Sequence, residues 1–341
     1  MTVGPVVVGI GGLELTAEER ERLTHPLVGM VILFARNFES PEQLCRLTAA
    51  IHALRDPPLV IAVDHEGGRV QRFRKGFTCL PAMRRLGELW DRDVLQACRV
   101  AASLGYVLAA ELRAHGVDLS FTPVLDLDWG RSEVIGDRAL HADPRVVAML
   151  AAQLCHGLAM AGMANCGKHF PGHGWAEADS HVAIPRDERS KAEILARDAA
   201  PYRWLGPQLA GVMPAHVIYD QVDKAPAGFS PRWLQILRGE LGFAGAAFTD
   251  DLLMEGAATQ GAIIERARAG LRAGCDLVLV CSDTTAMDAV LAGLRWQRPR
   301  SFEQRYMRLR PRGTAAGIKQ LLATELYRQA RGDLEALDVD P

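Results

Sequence analysis

Little in the chain would tie it to a membrane, a nucleic acid or an oxidising compartment. No apolar run approaches the roughly 20 residues that a bilayer-crossing helix needs. Met1 to Pro5, ahead of the apolar Val6 to Ile10, has neither the basic start nor the long apolar centre of a secretory signal. Neither sign of charge is in excess: 39 Lys and Arg stand against 41 Asp and Glu, a formal net charge of -2, so nothing draws the protein in bulk to polyanions. Nucleic acid and membrane are therefore not expected as partners. The 7 cysteines are odd in number, scattered and without a Cys-x-x-Cys pair, which suits a reducing compartment and makes the cytoplasm the expected location. No Pro/Ser/Gly-rich linker and no internal repeat divides the chain.

What is present is a chain of 341 residues, 49% hydrophobic and 23% charged, enough for a sizeable soluble core. Short apolar runs alternate with helical patterns. Strands are predicted at Val6 to Ile10, Met30 to Phe34, Pro58 to Val63, Val117 to Phe121, Met163 to Gly167, Ala210 to Met213, Gly245 to Phe248 and Asp276 to Val280. Helices are predicted from Thr16 and over 41–54, 94–115, 144–161, 191–204, 230–237, 262–273 and 284–294. Eight strands with interleaved helices suggest an α/β protein, a single-domain (β/α)8 barrel of the TIM type over 1–295. The Arg-rich, helix-patterned tail 296–341 is expected to pack on the outside of that barrel.

A doubly wound open sheet would show the same alternation, so the polar residues must choose. Arg36-Asn37, Asp64-His65-Glu66, Asp126 with Asp128, Lys168-His169, His216 and Asp250-Asp251 each follow a strand candidate. A barrel brings all these ends to one face, whereas an open sheet spreads them along a line. Gly9-Ile10-Gly11-Gly12 is not a dinucleotide site, because Glu14 replaces the third glycine of the fingerprint and no long helix follows directly.

The densest chemistry is Lys168-His169-Phe170-Pro171-Gly172-His173-Gly174-Trp175-Ala176-Glu177-Ala178-Asp179-Ser180-His181. Pro171, Gly172 and Gly174 break helix and strand periodicity alike, so these ionisable groups sit on a loop that a rigid scaffold must position. The blander reading is an ordinary solvated loop. Asp179 lies two residues from His181, close enough to hold one tautomer, stabilise the imidazolium and make it a general acid near neutral pH. In Thr249-Asp250-Asp251 neighbouring side chains point to opposite faces, so one carboxylate faces the barrel axis and can attack while the other orients; the blander reading has Asp251 capping the turn and Asp250 as a solvated loop acid. Asp64, Arg69 and Arg72, with Arg138 more weakly, mix acceptors and donors as sugar hydroxyls require, although a surface salt-bridge cluster has the same composition. Trp129 and Trp175 are open to sugar stacking or to simple packing.

Together Ile32-Leu33-Phe34-Ala35-Arg36-Asn37, the Asp64 to Phe73 segment, Phe121-Thr122-Pro123-Val124-Leu125-Asp126, the Lys168 to His181 loop, Met213-Pro214-Ala215-His216 and the Asp250 to Gly256 segment resemble the bacterial β-N-acetylhexosaminidases of glycoside hydrolase family 3. These are cytosolic enzymes of peptidoglycan recycling, and the resemblance covers nearly the whole chain. It implies a (β/α)8 barrel that removes terminal β-linked N-acetylglucosamine from 1,6-anhydro-N-acetylmuramic acid, with or without its stem peptide, using no cofactor or metal. It further implies Asp250 as nucleophile, His181 as general acid/base partnered by Asp179, and Asp64, Arg72, Arg138, Lys168 and His169 as sugar-binding residues. Thr249, Leu253 and the Asp137-Arg138-Ala139-Leu140 loop depart mildly from the family pattern. Larger relatives carry a second domain that can supply catalytic groups, so here the acid/base is expected from the barrel loops. A monomer is expected.

Three alternatives stay open. The substrate's own acetamido oxygen could be the nucleophile, oriented by Asp250 and Asp251. A metal-dependent barrel hydrolase would use His169, His173, His181, Asp179 and Asp250 as ligands, against which stand the lack of a His-x-His pair after an early strand and the charge of Lys168. A catalytically silent sugar-binding protein is the third.

Overall fold

A run such as Val6-Val7-Val8 or Leu277-Val278-Leu279-Val280 is apolar on both strand faces, and only a parallel sheet covered on both sides can bury it. The structure, a computed structural model, describes residues 3–177 and 184–337 and builds such a sheet. Its strands are β1 (Val6–Gly9), β2 (Val28–Leu33), β3 (Val60–Val63), β4 (Leu119–Ser120), β5 (Cys166–Phe170), β6 (Gly211–Pro214), β7 (Ala246–Asp251) and β8 (Leu277–Val280). They are joined in the order β4-β3-β2-β1-β8-β7-β6-β5, every ladder parallel. The two ends of that order meet. Leu119 pairs with Ala164, the Cys166 N–H donates to the Thr122 carbonyl at 2.8 Å, and the Leu125 N–H donates to the Lys168 carbonyl at 2.7 Å. The expected barrel is therefore the observed one.

Strand alternation sorts the side chains. Val7, Met30, Ile32, Val60, Ala62, Leu119, Cys166, Phe248 and Leu279 form one cluster inside the barrel, while Val6, Val8, Val31, Val63 and Val278 pack outward against the helices. Carried one step further, the same period places Asp64 after Ala62, Lys168 after Cys166 and Asp250 after Phe248 on the inner side. The apolar core thus becomes charged at the C-terminal ends of the strands, where barrel sites are built.

The helices follow local signals. Ala17–Thr24 opens on a capping box in which Thr16 accepts the Glu19 N–H and the Glu19 carboxylate accepts the Thr16 N–H. Thr16→Ala is expected to lower stability by about 1 kcal/mol, read as a smaller urea midpoint at unchanged slope. The helix expected over 191–204 is instead two, Lys191–Ala196 and Ala200–Leu205. Pro201 has no N–H to continue a helix, but it is suited to the first turn of a new one. The segment expected as helix over 230–237 is α-helical only at Pro231–Gln235 and continues as a wider π turn over Ile236–Glu240.

An unpredicted antiparallel ribbon, His65–Gly67 with Val70–Gln71, rises from β3. Its turn uses Gly67 and Gly68 at φ 125 and 53, values that disfavour side-chain-bearing residues. The tail does more than lie on the outside. Its helix Phe302–Met307 runs beneath the N-terminal ends of the strands, and Phe302, Tyr306 and Leu309 join the inner cluster. There the Tyr306 hydroxyl donates to the Gly29 carbonyl at 2.8 Å, and Arg305 pairs with Asp276 at 3.0 Å. Among the described residues no helix is long and apolar enough to cross a membrane.

Candidate active site

The charged inner layer floors a cavity of about 790 Å³ at the C-terminal ends of the strands, lined among others by Asp64, Arg72, Arg138, Lys168, His169 and Asp250. All six are residues singled out in the sequence. Asp179 and His181 lie outside the described residues.

Five of the lining groups form one chain of charges. Arg72 lies 3.9 Å from Asp64, Lys168 bridges Asp64 at 2.7 Å and Glu66 at 2.6 Å, and Glu66 takes both prongs of Arg138 at 2.9 Å each. Lys168 and Glu66 are buried. Burial alone would raise the Glu66 carboxyl, but Arg138 and Lys168 outweigh it and hold the group well below the ordinary carboxylate range. Burial alone would likewise lower the Lys168 amine, but Asp64 and Glu66 raise it above its ordinary value. Glu66 and Lys168 are thus fixed in their ionised forms before a ligand arrives.

A second unit lies between the loops after β4 and β5. Asp126, fully buried, accepts from the His169 ring Nδ1 at 2.7 Å and from the His173 N–H at 2.7 Å. Burial would raise its carboxyl, and the two histidines more than offset that, leaving it lowered. The Lys168–His169 peptide is cis, and the β5 ladder shifts register between Lys168 and Phe170. Both Lys168 and His169 line the cavity.

Asp250 reaches the cavity from the end of β7. Burial pushes its carboxyl up, but His216, His169, the Asp251 N–H and Lys168 together hold it below its ordinary value, so it is a carboxylate at neutral pH. The Asp251 N–H donates to Asp250 Oδ1 at 2.9 Å, while Asp251 Oδ1 accepts the Leu253 N–H at 3.1 Å. Asp251 thus caps the turn while also bordering the cavity, and Asp250 is a half-buried part of the cavity lining rather than a solvated loop acid. Behind them the His216 ring stacks on Phe229 at 4.9 Å, and its Nε2 lies 3.2 Å from the Asp251 carbonyl.

Not every strand-end polar residue belongs to this site. Arg36 donates to the carbonyls of Ile10 and Cys281, and Asn37 to those of Ile10 and Gly12, so these side chains lace neighbouring loops together. Asp128 pairs with Arg84 at 3.0 Å. Trp129 and Trp175 meet edge to face at 5.0 Å with Arg189 over both rings, at 4.8 and 4.4 Å, a packing role rather than a free stacking face. Glu66 and Asp126 were present in the sequence only as strand-end polar residues. The alternation that places Asp64 and Glu66 two residues apart on one side was the signal for the first; Asp126 had none, because its partners lie 43 and 47 residues away.

His65, buried beside Phe73 and Phe77, faces away from the charged chain. Burial, then Arg74 and Arg72, lowers its pKa to about 3. The unfolded imidazole titrates near 6.5, so as pH falls from there towards 3 the unfolded chain binds a proton that the folded one refuses, costing about 1.4 kcal/mol per pH unit. His65→Leu is therefore expected to lose less stability between pH 7 and pH 5 than the parent protein. Parallel urea midpoints for the two proteins at both pH values would refute this.

Known proteins carry the same frame. The profile described as "Glycosyl hydrolase family 3 N terminal domain" matches residues 6–300. A β-hexosaminidase of Bordetella avium is 62% identical over 96% of this chain and 94% of its own length, and one of Aromatoleum aromaticum is 60% identical over 99% and 96%. The crystal structure of NagZ from Neisseria gonorrhoeae in complex with N-trifluoroacetyl-D-glucosamine superposes with a TM-score of 0.95 at 49% identity, covering 100% of this chain and 99% of that one. A barrel with an ionised strand-end carboxylate in a ring of paired cations, matched over this length and at this identity, belongs to glycosyl hydrolase family 3.

Proposed function

We propose that the protein is a retaining exo-β-N-acetylglucosaminidase. Asp250 attacks the anomeric carbon of a terminal β-linked N-acetylglucosamine while His181 gives its proton to the departing glycosidic oxygen. Water then attacks the anomeric carbon of the glycosyl-aspartate with His181 as base, releasing the sugar and the Asp250 carboxylate, and Asp179 keeps that imidazole oriented. Asp64, Arg72, Arg138, Lys168 and His169 hold the sugar. The physiological substrate in this reading is N-acetylglucosaminyl-1,6-anhydro-N-acetylmuramic acid, with or without its peptide, in cytoplasmic peptidoglycan recycling.

The observation that carries the reading is Asp250, a carboxylate kept ionised at a strand end in a cavity ringed by fixed donors and acceptors. Such a ring matches vicinal hydroxyls, and a closed site strengthens every charge in it. The names of the relatives support the same sugar. The test is the initial rate on an aryl β-N-acetylglucosaminide and on the matching β-glucoside, each with and without chelator. Rapid, chelator-insensitive cleavage of the acetamido sugar alone is expected. Activity abolished by chelator, or absent on both sugars, would overturn the reading.

The acid/base assignment has its own test. Asp179→Asn is expected to lower kcat by about a hundredfold with KM little changed, because the dyad acts on proton transfer rather than on sugar binding. An unchanged kcat removes Asp179 from the mechanism.

A further inference from the structure

Asp126 has no part in the proposed bond-making steps, yet it is fully buried and surrounded by donors. Its Oδ2 faces the His169 ring Nδ1 at 2.7 Å. The His169 backbone N–H reaches the two carboxylate oxygens at 3.2 and 3.3 Å, and the His173 backbone N–H reaches Oδ1 at 2.7 Å. An ionised carboxylate can only accept, so the ring nitrogen facing it must carry a proton. The other nitrogen, Nε2, is then the one left for a ligand, and the ring belongs to the cavity lining.

We propose that Asp126 is a positioning residue that holds His169 as the Nδ1–H tautomer, so that Nε2 meets the sugar as a hydrogen-bond acceptor, and that it anchors the 169–173 turn. The inference rests on His169 being a sugar-binding residue. It specifies the partner: Nε2 takes a hydroxyl or an amide N–H of the substrate, and rejects a carbonyl or phosphate oxygen at that place. Asparagine cannot replace Asp126 here. It has a single acceptor oxygen for donors that now share two, and its amide N–H groups would confront the backbone N–H groups of His169 and His173.

The test uses the full-length protein labelled with 15N-histidine at pH 8, with the His169 ring assigned by its loss in His169→Gln. The expected spectrum has Nδ1 protonated and Nε2 bare; an Nε2–H or doubly protonated ring overturns the proposal. Asp126→Asn is expected to lose that single tautomer and to lower kcat/KM on the aryl β-N-acetylglucosaminide about tenfold to a hundredfold, mainly through KM. In the His169→Gln background the same change should cost clearly less than in the parent, leaving only the loss of the backbone contacts that anchor the 169–173 turn. A general structural role would instead cost as much there as in the parent, and would overturn the inference. Should the asparagine variant fail to fold, the spectrum of the unsubstituted protein still decides. Should the unsubstituted protein not hydrolyse the sugar, the proposed function falls while the tautomer measurement stands by itself.

Discussion

Asp250→Asn is expected to lower kcat/KM by about 10⁵-fold on an aryl β-N-acetylglucosaminide while leaving KM within a few-fold, the pattern of a group that acts only once bonds are changing. The amide is the same size and still accepts the Asp251 N–H, so the geometry at the end of β7 survives and only the attacking carboxylate is lost. A fluorinated N-acetylglucosaminyl trap should label the parent on the peptide containing Asp250 and leave the variant unlabelled. If neither is labelled and a thiazoline mimic inhibits strongly, the acetamido oxygen is the nucleophile instead. The pH profile adds a sign. Because His216, His169, the Asp251 N–H and Lys168 outweigh burial and hold the carboxyl below its ordinary value, Asp250 stays ionised through the mildly acidic range. Loss of activity there must come from another group, so the acid limb of kcat/KM above pH 5 should report a group other than Asp250.

Glu66→Gln should have the second-largest effect, and on two observables at once. Glu66 pairs with both Lys168 and Arg138, so the substitution leaves the buried Lys168 with Asp64 alone and takes the carboxylate partner from the half-buried Arg138. Breaking a buried pair in this way costs about 3–5 kcal/mol, because the remaining charge stays desolvated. The loss should appear as a lower urea midpoint. The cations also belong to the sugar-binding ring, so KM should rise more than kcat falls. Glu66 is one of the groups that raise the Lys168 amine against the lowering effect of burial. Without it that amine titrates lower, and the alkaline limb of kcat/KM should move towards neutral pH. A variant with the parent's midpoint and the parent's alkaline limb would show that the pairing does not act as argued.

Those two residues differ in how readable they were. Asp250 stands at the end of a strand whose inner face, Ala246 and Phe248, is set by a period of two, and Asp64 follows Val60 and Ala62 in the same way. The position of each in the cavity follows from a local rule. The importance of Glu66 depends on Arg138 and Lys168, which are 72 and 102 residues away along the chain, and no local pattern encodes such a meeting. The same holds for Asp126 with His169, and for Trp129 and Trp175, whose rings could not be told from sugar platforms until Arg189 was found lying over both.

The eight strands, their inward faces and the charged loops were legible from local pattern alone, because apolar runs, turn residues and alternation act over a few residues and outweigh distant context in a buried parallel sheet. The break in the helix expected over 191–204, the closing of the barrel floor by Phe302 and Tyr306, and the pairing of the charged side chains emerge only in three dimensions. Those outcomes turn on burial. A carboxylate or an amine costs several kcal/mol to bury unless a partner meets it, and the partner arrives from whichever strand end the closed barrel brings alongside.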